Sequence, residues 1–207
     1  MDMQNLQKQK GFTLVEIAIV LVIIGLLLGG VLKGQELIEN TKIKSVKSDA
    51  DNMVTAINGY QDRFRAIPGD DANADTNVTG TVATAAGGSV VGNGLIEGQY
   101  DPAAVTNETA VIFEHLRLAG FISGNDVTQP TSAFGGILGV SSAAAGMTGL
   151  IICQTGLTEE QMQLVDIRYD DGSTLTGTIR GATDAAGTAT AVDYGGAFDS
   201  IALCINY

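Results

Sequence analysis

The chain has 207 residues, of which 45% are hydrophobic and 5% aromatic, and its formal net charge is −12. This length allows one globular domain with an additional segment, or at most two small domains. After residue 65 the chain has three arginines against sixteen acidic side chains, a balance that repels phosphate backbones and argues against nucleic-acid binding there.

The N-terminus combines a polar segment with a long apolar one. Residues 1–11, MDMQNLQKQKG, are polar, and residues 12–32, FTLVEIAIVLVIIGLLLGGVL, contain a single charged residue, Glu16. A helix of this length extends about 31 Å, which is enough to cross the hydrocarbon core of a bilayer. The sequence therefore predicts a membrane-spanning helix.

Two common interpretations of such a segment fit poorly. A secretory signal is cleaved after its apolar run, behind small residues, whereas this run leads into the sequence LKGQE at residues 32–36. A plain membrane anchor leaves Glu16 unexplained, because a carboxylate within the span costs about 2.5–3.5 kcal/mol on insertion scales. A specific role for this carboxylate is therefore indicated.

Residues 8–16, KQKGFTLVE, together with the apolar run that follows, resemble the N-terminal signal of the type IV pilin and pseudopilin family. The resemblance implies that a prepilin peptidase cuts after Gly11 on the cytoplasmic side and methylates the new N-terminal residue, Phe12. It also implies that Glu16 acts in assembly. Its carboxylate would pair with the Phe12 amine of a neighbouring subunit, which satisfies a charge that is costly in lipid.

The charges that flank the apolar run do not by themselves orient it. Lys8 and Lys10 precede it, and the lysines at 33, 42, 44 and 47 follow it. Long domains are translocated largely regardless of flanking charge. We therefore expect a cytoplasmic leader, as the resemblance implies, and an exported acidic domain.

Helical periodicity continues beyond the membrane segment. Apolar residues recur at spacings of three and four from Leu37 to Tyr60, and the sequence Ile67-Pro68-Gly69 stops the pattern. We expect one helix from about residue 13 to residue 65. The four glycines at 25, 29, 30 and 34 have two interpretations: the helix unwinds there in a filament, or small residues allow close helix packing.

Residues 69–100 have small, polar side chains and predict a long surface loop or a weak hairpin. Asp71, Asn73 and Asp75 alternate as at the start of a calcium loop, but the later glycine and glutamate of an EF-hand are absent from their places. A solvated acidic loop is the main expectation, and calcium binding is the alternative.

Two further helices and a strand are predicted downstream. Asp101-Pro102 starts a helix that ends at residues 118–120, and its inward face is Val111, Ile112, Leu116 and Ala119. His115 lies on this helix, where we expect a surface or packing role. Thr158 starts a capping box for a short helix with Met162, Val165 and Tyr169 on one face, and residues 175–180 follow as a strand.

The C-terminal part contains a second candidate calcium site and a candidate disulfide. Asp170, Asp171, Asp193 and Asp199, with Asp166, could bind calcium as in some pseudopilins. Cys153 and Cys204 both lie in apolar, strand-like runs. Outside the cytoplasm a disulfide is the leading interpretation, and two separate buried thiols are the alternative.

The expected fold class is α+β: a long, partly transmembrane N-terminal helix packed on an antiparallel sheet, as in pilins. The expected segments are a leader at 1–11, a transmembrane and assembly helix at 12–32, its amphipathic continuation at 33–66, and an acidic globular head at 67–207. No nucleophile–base or metal constellation indicates an enzyme. The expected function is that of a structural subunit of a type IV pilus, with a type II secretion pseudopilin or an adhesin-like minor pilin as alternatives.

The resemblance also implies partners and a location. The partners would be copies of the chain or other pilins, the prepilin peptidase, an inner-membrane assembly platform and, before assembly, the lipid bilayer. The chain would cross the bacterial inner membrane once and then enter a pilus on the cell surface or a periplasmic pseudopilus.

Overall fold

A computed structural model describes residues 13–83, 91–102, 104–124, 126–183 and 201–207. The chain forms two compact units, one ending at Thr41 and one from Lys42 to Tyr207. The elements in chain order are α1 (Leu14–Phe64), α2 (Ala74–Asn77), α3 (Glu108–Leu118), β1 (Leu138–Ala144), β2 (Met147–Gln154), α4 (Glu159–Tyr169), β3 (Ile179–Thr183) and β4 (Ile201–Asn206).

In the first unit, α1 is mostly apolar, and no residue of it is fully buried within the chain. An 18-residue window has a mean hydropathy of 2.8, and none of it is buried within the chain. By length and composition this helix can cross a membrane. The helix is continuous through Gly25, Gly29, Gly30 and Gly34, and a Cβ added at any of them would meet no atom within 4 Å. Both interpretations of these glycines concern the filament and stay predictions.

The second unit contains the rest of α1, which has the expected amphipathic character. Its buried residues recur at spacings of three and four because one face of the helix packs on the core; they are Ile43, Val46, Ala50, Met53, Ile57 and Tyr60. The helix ends at Phe64, and Arg65 takes a positive φ of 58°. The predicted helix is thus confirmed to within one residue at each end.

The four strands form one antiparallel sheet in the order β1-β2-β4-β3. One face contributes Val140, Ile152 and Leu203 to a core that also contains the α3 residues Phe113 and Leu116. The predicted α+β class with an antiparallel sheet is confirmed.

A buried amide links the sheet to the helix. The Gln154 side chain is fully buried, and its Nε2 donates to the Val46 carbonyl oxygen of α1 at 2.6 Å. Because a buried donor without a partner is costly, this bond fixes which point of the helix lies over strand β2.

Cys153 and Cys204 form a disulfide. They are directly opposed in register on β2 and β4, and both belong to a second buried cluster with Tyr100 and Ile151. The disulfide interpretation is confirmed, and the alternative of two separate thiols is wrong. The bond staples the strand pair at the centre of the sheet.

Two predicted boundaries were wrong. Helix α3 begins at Glu108, not at Asp101, because the chain first makes a turn in which the Asn107 N–H donates to the Ala104 carbonyl oxygen at 3.2 Å. Asn107 then takes the extended conformation of an N-cap. Its side chain makes no capping bond, but Asn107 followed by Glu108 is a start signal that the sequence contains and that the expected start at Asp101 overlooked.

Strand β3 begins at Ile179 instead of Leu175. The backbone N–H groups of Thr178 and Ile179 donate to the Asp170 carboxylate at 2.5 and 2.7 Å. The Thr176 N–H donates to the Ser173 carbonyl oxygen, which makes a turn. In this segment the backbone N–H groups therefore bind acceptors in the preceding loop, where strand residues would bind a neighbouring strand.

The disulfide generates the first prediction. Replacing both cysteines, Cys153→Ser with Cys204→Ser, should lower the free energy of unfolding by about 4 kcal/mol, because the bond closes a loop across a sequence separation of 51 residues. Denaturant titration of the full chain in detergent measures the loss. Reduced wild-type protein is the matched control and should show the same loss; an unchanged midpoint in both would contradict the prediction.

Candidate functional site

The first candidate site is the N-terminus of α1. The Glu16 carboxylate oxygen Oε2 accepts hydrogen bonds from the Thr13 N–H and the Thr13 hydroxyl, each at 2.8 Å. The Glu16 N–H donates in return to the Thr13 hydroxyl oxygen at 3.2 Å. These reciprocal bonds are a capping box, and the sequence Thr13-Leu14-Val15-Glu16 is its signature. The sequence analysis did not identify it, although the signal is present.

The capping box gives Glu16 a role within its own chain. The first N–H groups of a helix have no intrahelical partner, and water is not available to them in the hydrocarbon region of a bilayer. A plain membrane anchor would therefore also have a use for Glu16, as the cap of its own helix. Gly11 and Phe12 lie outside the described residues, so cleavage, methylation and the pairing of Glu16 with a neighbour's amine stay predictions.

The second candidate site is the loop that follows α1, where Asp71 is almost fully buried. Its Oδ2 accepts from the Tyr60 hydroxyl at 2.8 Å and from the Asn77 amide at 2.7 Å, and its Oδ1 accepts from the Asn73 N–H. Asp75 is exposed and accepts instead from the Thr76 hydroxyl. Asp71 thus orders the loop through these bonds, and calcium binding by Asp71, Asn73 and Asp75 stays a prediction.

Asp70 is a residue that the sequence analysis missed. Its carboxylate accepts the backbone N–H groups of Gly92, Asn93 and Gly94. Only 3% of Asp70 is exposed, so these three donors compensate its charge. Asp70, Gly92 and Gly94 line a cleft of about 470 Å³ together with Gln61, Arg65 and Asp71.

His115 is fully buried, so its expected packing role is confirmed and the surface alternative is wrong. Its Nδ1 accepts the Gly69 N–H at 2.9 Å, and its Nε2 lies 2.8 Å from the Thr81 carbonyl oxygen. This pattern requires the neutral tautomer with hydrogen on Nε2. Burial lowers the pKa of His115, against the opposing effects of the Thr81 carbonyl, Asp71 and Glu114.

Asp166, Asp170 and Asp171 offer carboxylate oxygens within 4.8 Å of one another. Each carboxylate also accepts hydrogen bonds from the loop after α4, with donors that include the N–H groups of Gly172, Ser173 and Thr178. Asp193 and Asp199 lie outside the described residues. Calcium binding by this group stays a prediction.

Comparison with known proteins identifies one segment. Residues 6–32 match the family model described as the prokaryotic N-terminal methylation motif, which is the prepilin signal of type IV pilins and pseudopilins. The match contains Gly11, Phe12 and Glu16 and confirms the resemblance on which their roles rest. A search of the curated proteins finds no match.

The buried hydrogen bond between Tyr60 and Asp71 generates a prediction with an internal control. Tyr60→Phe should lower the free energy of unfolding by about 1.5–3 kcal/mol, because the carboxylate loses a buried donor. Tyr207→Phe removes a similar bond, from its hydroxyl to Asp51 at 2.6 Å, but at the surface, and should cost much less. Equal losses in denaturant titrations would contradict the structural role of Asp71.

His115 generates a pH prediction. Its pKa is lower in the folded chain than the ordinary value of 6.5, so below that pH the unfolded chain binds a proton that the folded chain does not. The free energy of unfolding of the wild type should therefore decrease as the pH is lowered below 6.5, by up to about 1.4 kcal/mol per pH unit. His115→Gln should lack this contribution to the pH dependence.

The measurement is the difference in free energy of unfolding between wild type and His115→Gln at a series of pH values. Burial and the negative charges of Asp70 and Glu97 raise the pKa of Glu108 to about 7. Between its ordinary value of 4.5 and 7, Glu108 has the opposite effect, because there the folded chain binds the extra proton. That effect is common to both proteins and cancels. A difference that does not change with pH would contradict the neutral, buried histidine.

Proposed function

We propose that this chain, whose residues 6–32 carry a prepilin signal, is a structural subunit of a type IV pilus or a pilus-like filament. The observation that carries the proposal is the part of α1 that lies in the first unit. Its most hydrophobic 18-residue window has no residue buried within the chain. Exposed apolar surface of this size requires lipid or other protein to cover it. Before assembly lipid covers it, and in the filament the helices of other subunits do.

The Glu16 carboxylate selects the register between subunits. Helices in lipid gain no hydrophobic energy by associating, so packing and polar pairing decide how they associate. Both capping bonds from Thr13 end on Oε2. A carboxylate has two oxygens and about four acceptor positions, so Glu16 can keep its own helix capped while it binds the amine of a neighbour's Phe12. Cleavage after Gly11 creates that amine.

The proposed role is assembly, with no catalytic step. The partners are copies of this chain or other pilins, the prepilin peptidase that recognises the signal, and an inner-membrane assembly platform. The subunit crosses the bacterial inner membrane once before assembly, with its leader in the cytoplasm. The acidic second unit is then displayed on the outside of a surface pilus.

A type II secretion pseudopilin and a minor pilin with an adhesin-like head carry the same N-terminal signal. Mass spectrometry of sheared surface material separates these candidates. Abundant chain in that material identifies a pilus subunit, retention in the envelope identifies a pseudopilin, and trace amounts with a bound head ligand identify a minor pilin.

Processing generates a prediction for the mature N-terminus. Chain produced together with a prepilin peptidase should begin at N-methylated Phe12, and Gly11→Leu should retain residues 1–11. Intact-mass spectrometry distinguishes the two forms. Wild-type protein that still begins with MDMQ in the presence of the peptidase would contradict the proposed function.

Glu16 generates a prediction that separates its two roles. Glu16→Leu should insert into the membrane and be processed but form no filaments. Glu16→Gln retains an oxygen that can cap Thr13 but lacks the negative charge, so it should also fail to assemble. The measurement is filament yield by electron microscopy of sheared cells. Normal filaments from Glu16→Gln would show that the cap is sufficient and that ionic pairing is not required.

A further inference from the structure

A short segment of the second unit, residues 96–98, is held between β1 and the first turn of α3. On one side, the Ile96 N–H donates to the Ser142 hydroxyl at 2.6 Å, and the Ser141 hydroxyl donates to the Gly98 carbonyl oxygen at 2.8 Å. On the other side, the Glu97 N–H donates to Oε2 of Glu108 at 2.6 Å. The segment is therefore fixed from both sides.

Gly98 permits the close approach of this segment to α3. Its φ is +123°, and a Cβ at this position would lie 3.2 Å from Oγ1 of Thr109. The absence of a side chain at Gly98 brings the backbone next to Glu97 against Thr109 and Glu108, the first two residues of α3.

Three buried side-chain oxygens lack a hydrogen-bond partner along this contact: Oε2 of Glu97, Oε1 of Glu108 and Oγ1 of Thr109. In the part of the chain that the structure describes, only five buried side-chain atoms lack a partner, so more than half of them are here. Glu108 is 2% exposed and Thr109 is fully buried, so solvent does not compensate them. Buried polar groups without partners are rare in folded proteins, and an ordered water or a bound ion at such a place would supply the missing partner.

The charge of this cluster has the sign that attracts a cation. The charged groups that act on the Glu108 carboxyl are Asp70 and Glu97, and both are negative. Asp70 has its own backbone donors in residues 92–94. Neither Glu97 nor Glu108 takes part in the ion pairs found between described residues. Glu108 is buried and Glu97 is partly buried, and carboxylates in such surroundings either bind a proton or pair with a cation.

We propose that Glu97, Glu108 and Thr109 bind a calcium ion. Carboxylate and hydroxyl oxygens are the hard ligands that this ion prefers, and calcium accepts irregular arrangements of them. Magnesium demands near-ideal octahedral geometry and retains several waters, for which a site closed by two packed elements leaves little room. The ion would tie residues 96–98 to α3 and stabilise the folded second unit.

This site is distinct from the group of Asp166, Asp170 and Asp171. Those carboxylates accept hydrogen bonds from the N–H groups of their own loop, whereas the oxygens proposed here have no partner. The two sites share no residue, so single substitutions separate them.

The test is thermal unfolding of the full chain in detergent, with calcium chloride and with EDTA. Calcium at about a hundredfold excess over its dissociation constant should raise the Tm by about 5–10 °C. Magnesium at the same concentration should raise it much less. No change with calcium, or an equal change with magnesium, would overturn the proposal.

Single substitutions then test which residues bind the ion. Glu108→Gln and Thr109→Val should lose most of the calcium-dependent shift, and Glu108→Gln should unfold in EDTA no earlier than wild type, because it removes an uncompensated buried charge. Glu160→Gln is the matched control, since it removes an exposed first-turn glutamate from α4, and it should keep the full shift. A shift that survives Glu108→Gln, or that Asp171→Asn abolishes instead, would overturn the site.

Discussion

The first backbone N–H groups of a membrane-spanning helix have no water to bind, and in α1 the side chains of Thr13 and Glu16 accept two of these groups from each other's backbone. The cap makes the acidic residue tolerable in a single subunit. In the filament proposed above, the same carboxylate also binds the amine that cleavage after Gly11 would create. Under that proposal, the cap of the isolated helix and the recognition between helices would depend on the same side chain.

The acidic residues of the second unit do more than confer solubility. Asp70 and Asp71 are buried, and each accepts several hydrogen bonds that hold the loop after α1 in place. Asp170 does the same before β3. The chain has few aromatic residues and many small ones, so its loops gain little from apolar burial. Carboxylates that collect backbone N–H groups hold these loops in place, at the cost of burying charge.

Periodic and local signals in the sequence predicted much of this structure. The bounds of α1, the capping box at Thr158 and the strands that contain Cys153 and Cys204 follow from spacing and residue type over a few positions. The starts of α3 and β3, and the role of Asp70, did not follow. Asp70 meets donors 22 to 24 residues away, and no local pattern records such a partner. The Glu97–Glu108 contact was missed for the same reason.

The order β1-β2-β4-β3 places the strand that comes last in sequence in the interior of the sheet. Strand β4 supplies the partner of both β2 and β3, and its Cys204 completes the only covalent cross-link between described residues. If the second unit is exported as proposed, β3 has no strand to pair with until residues 201–206 have followed it across the membrane. In a chain exported as proposed, the sheet would therefore be completed only after translocation, and the disulfide between β2 and β4 could form only then.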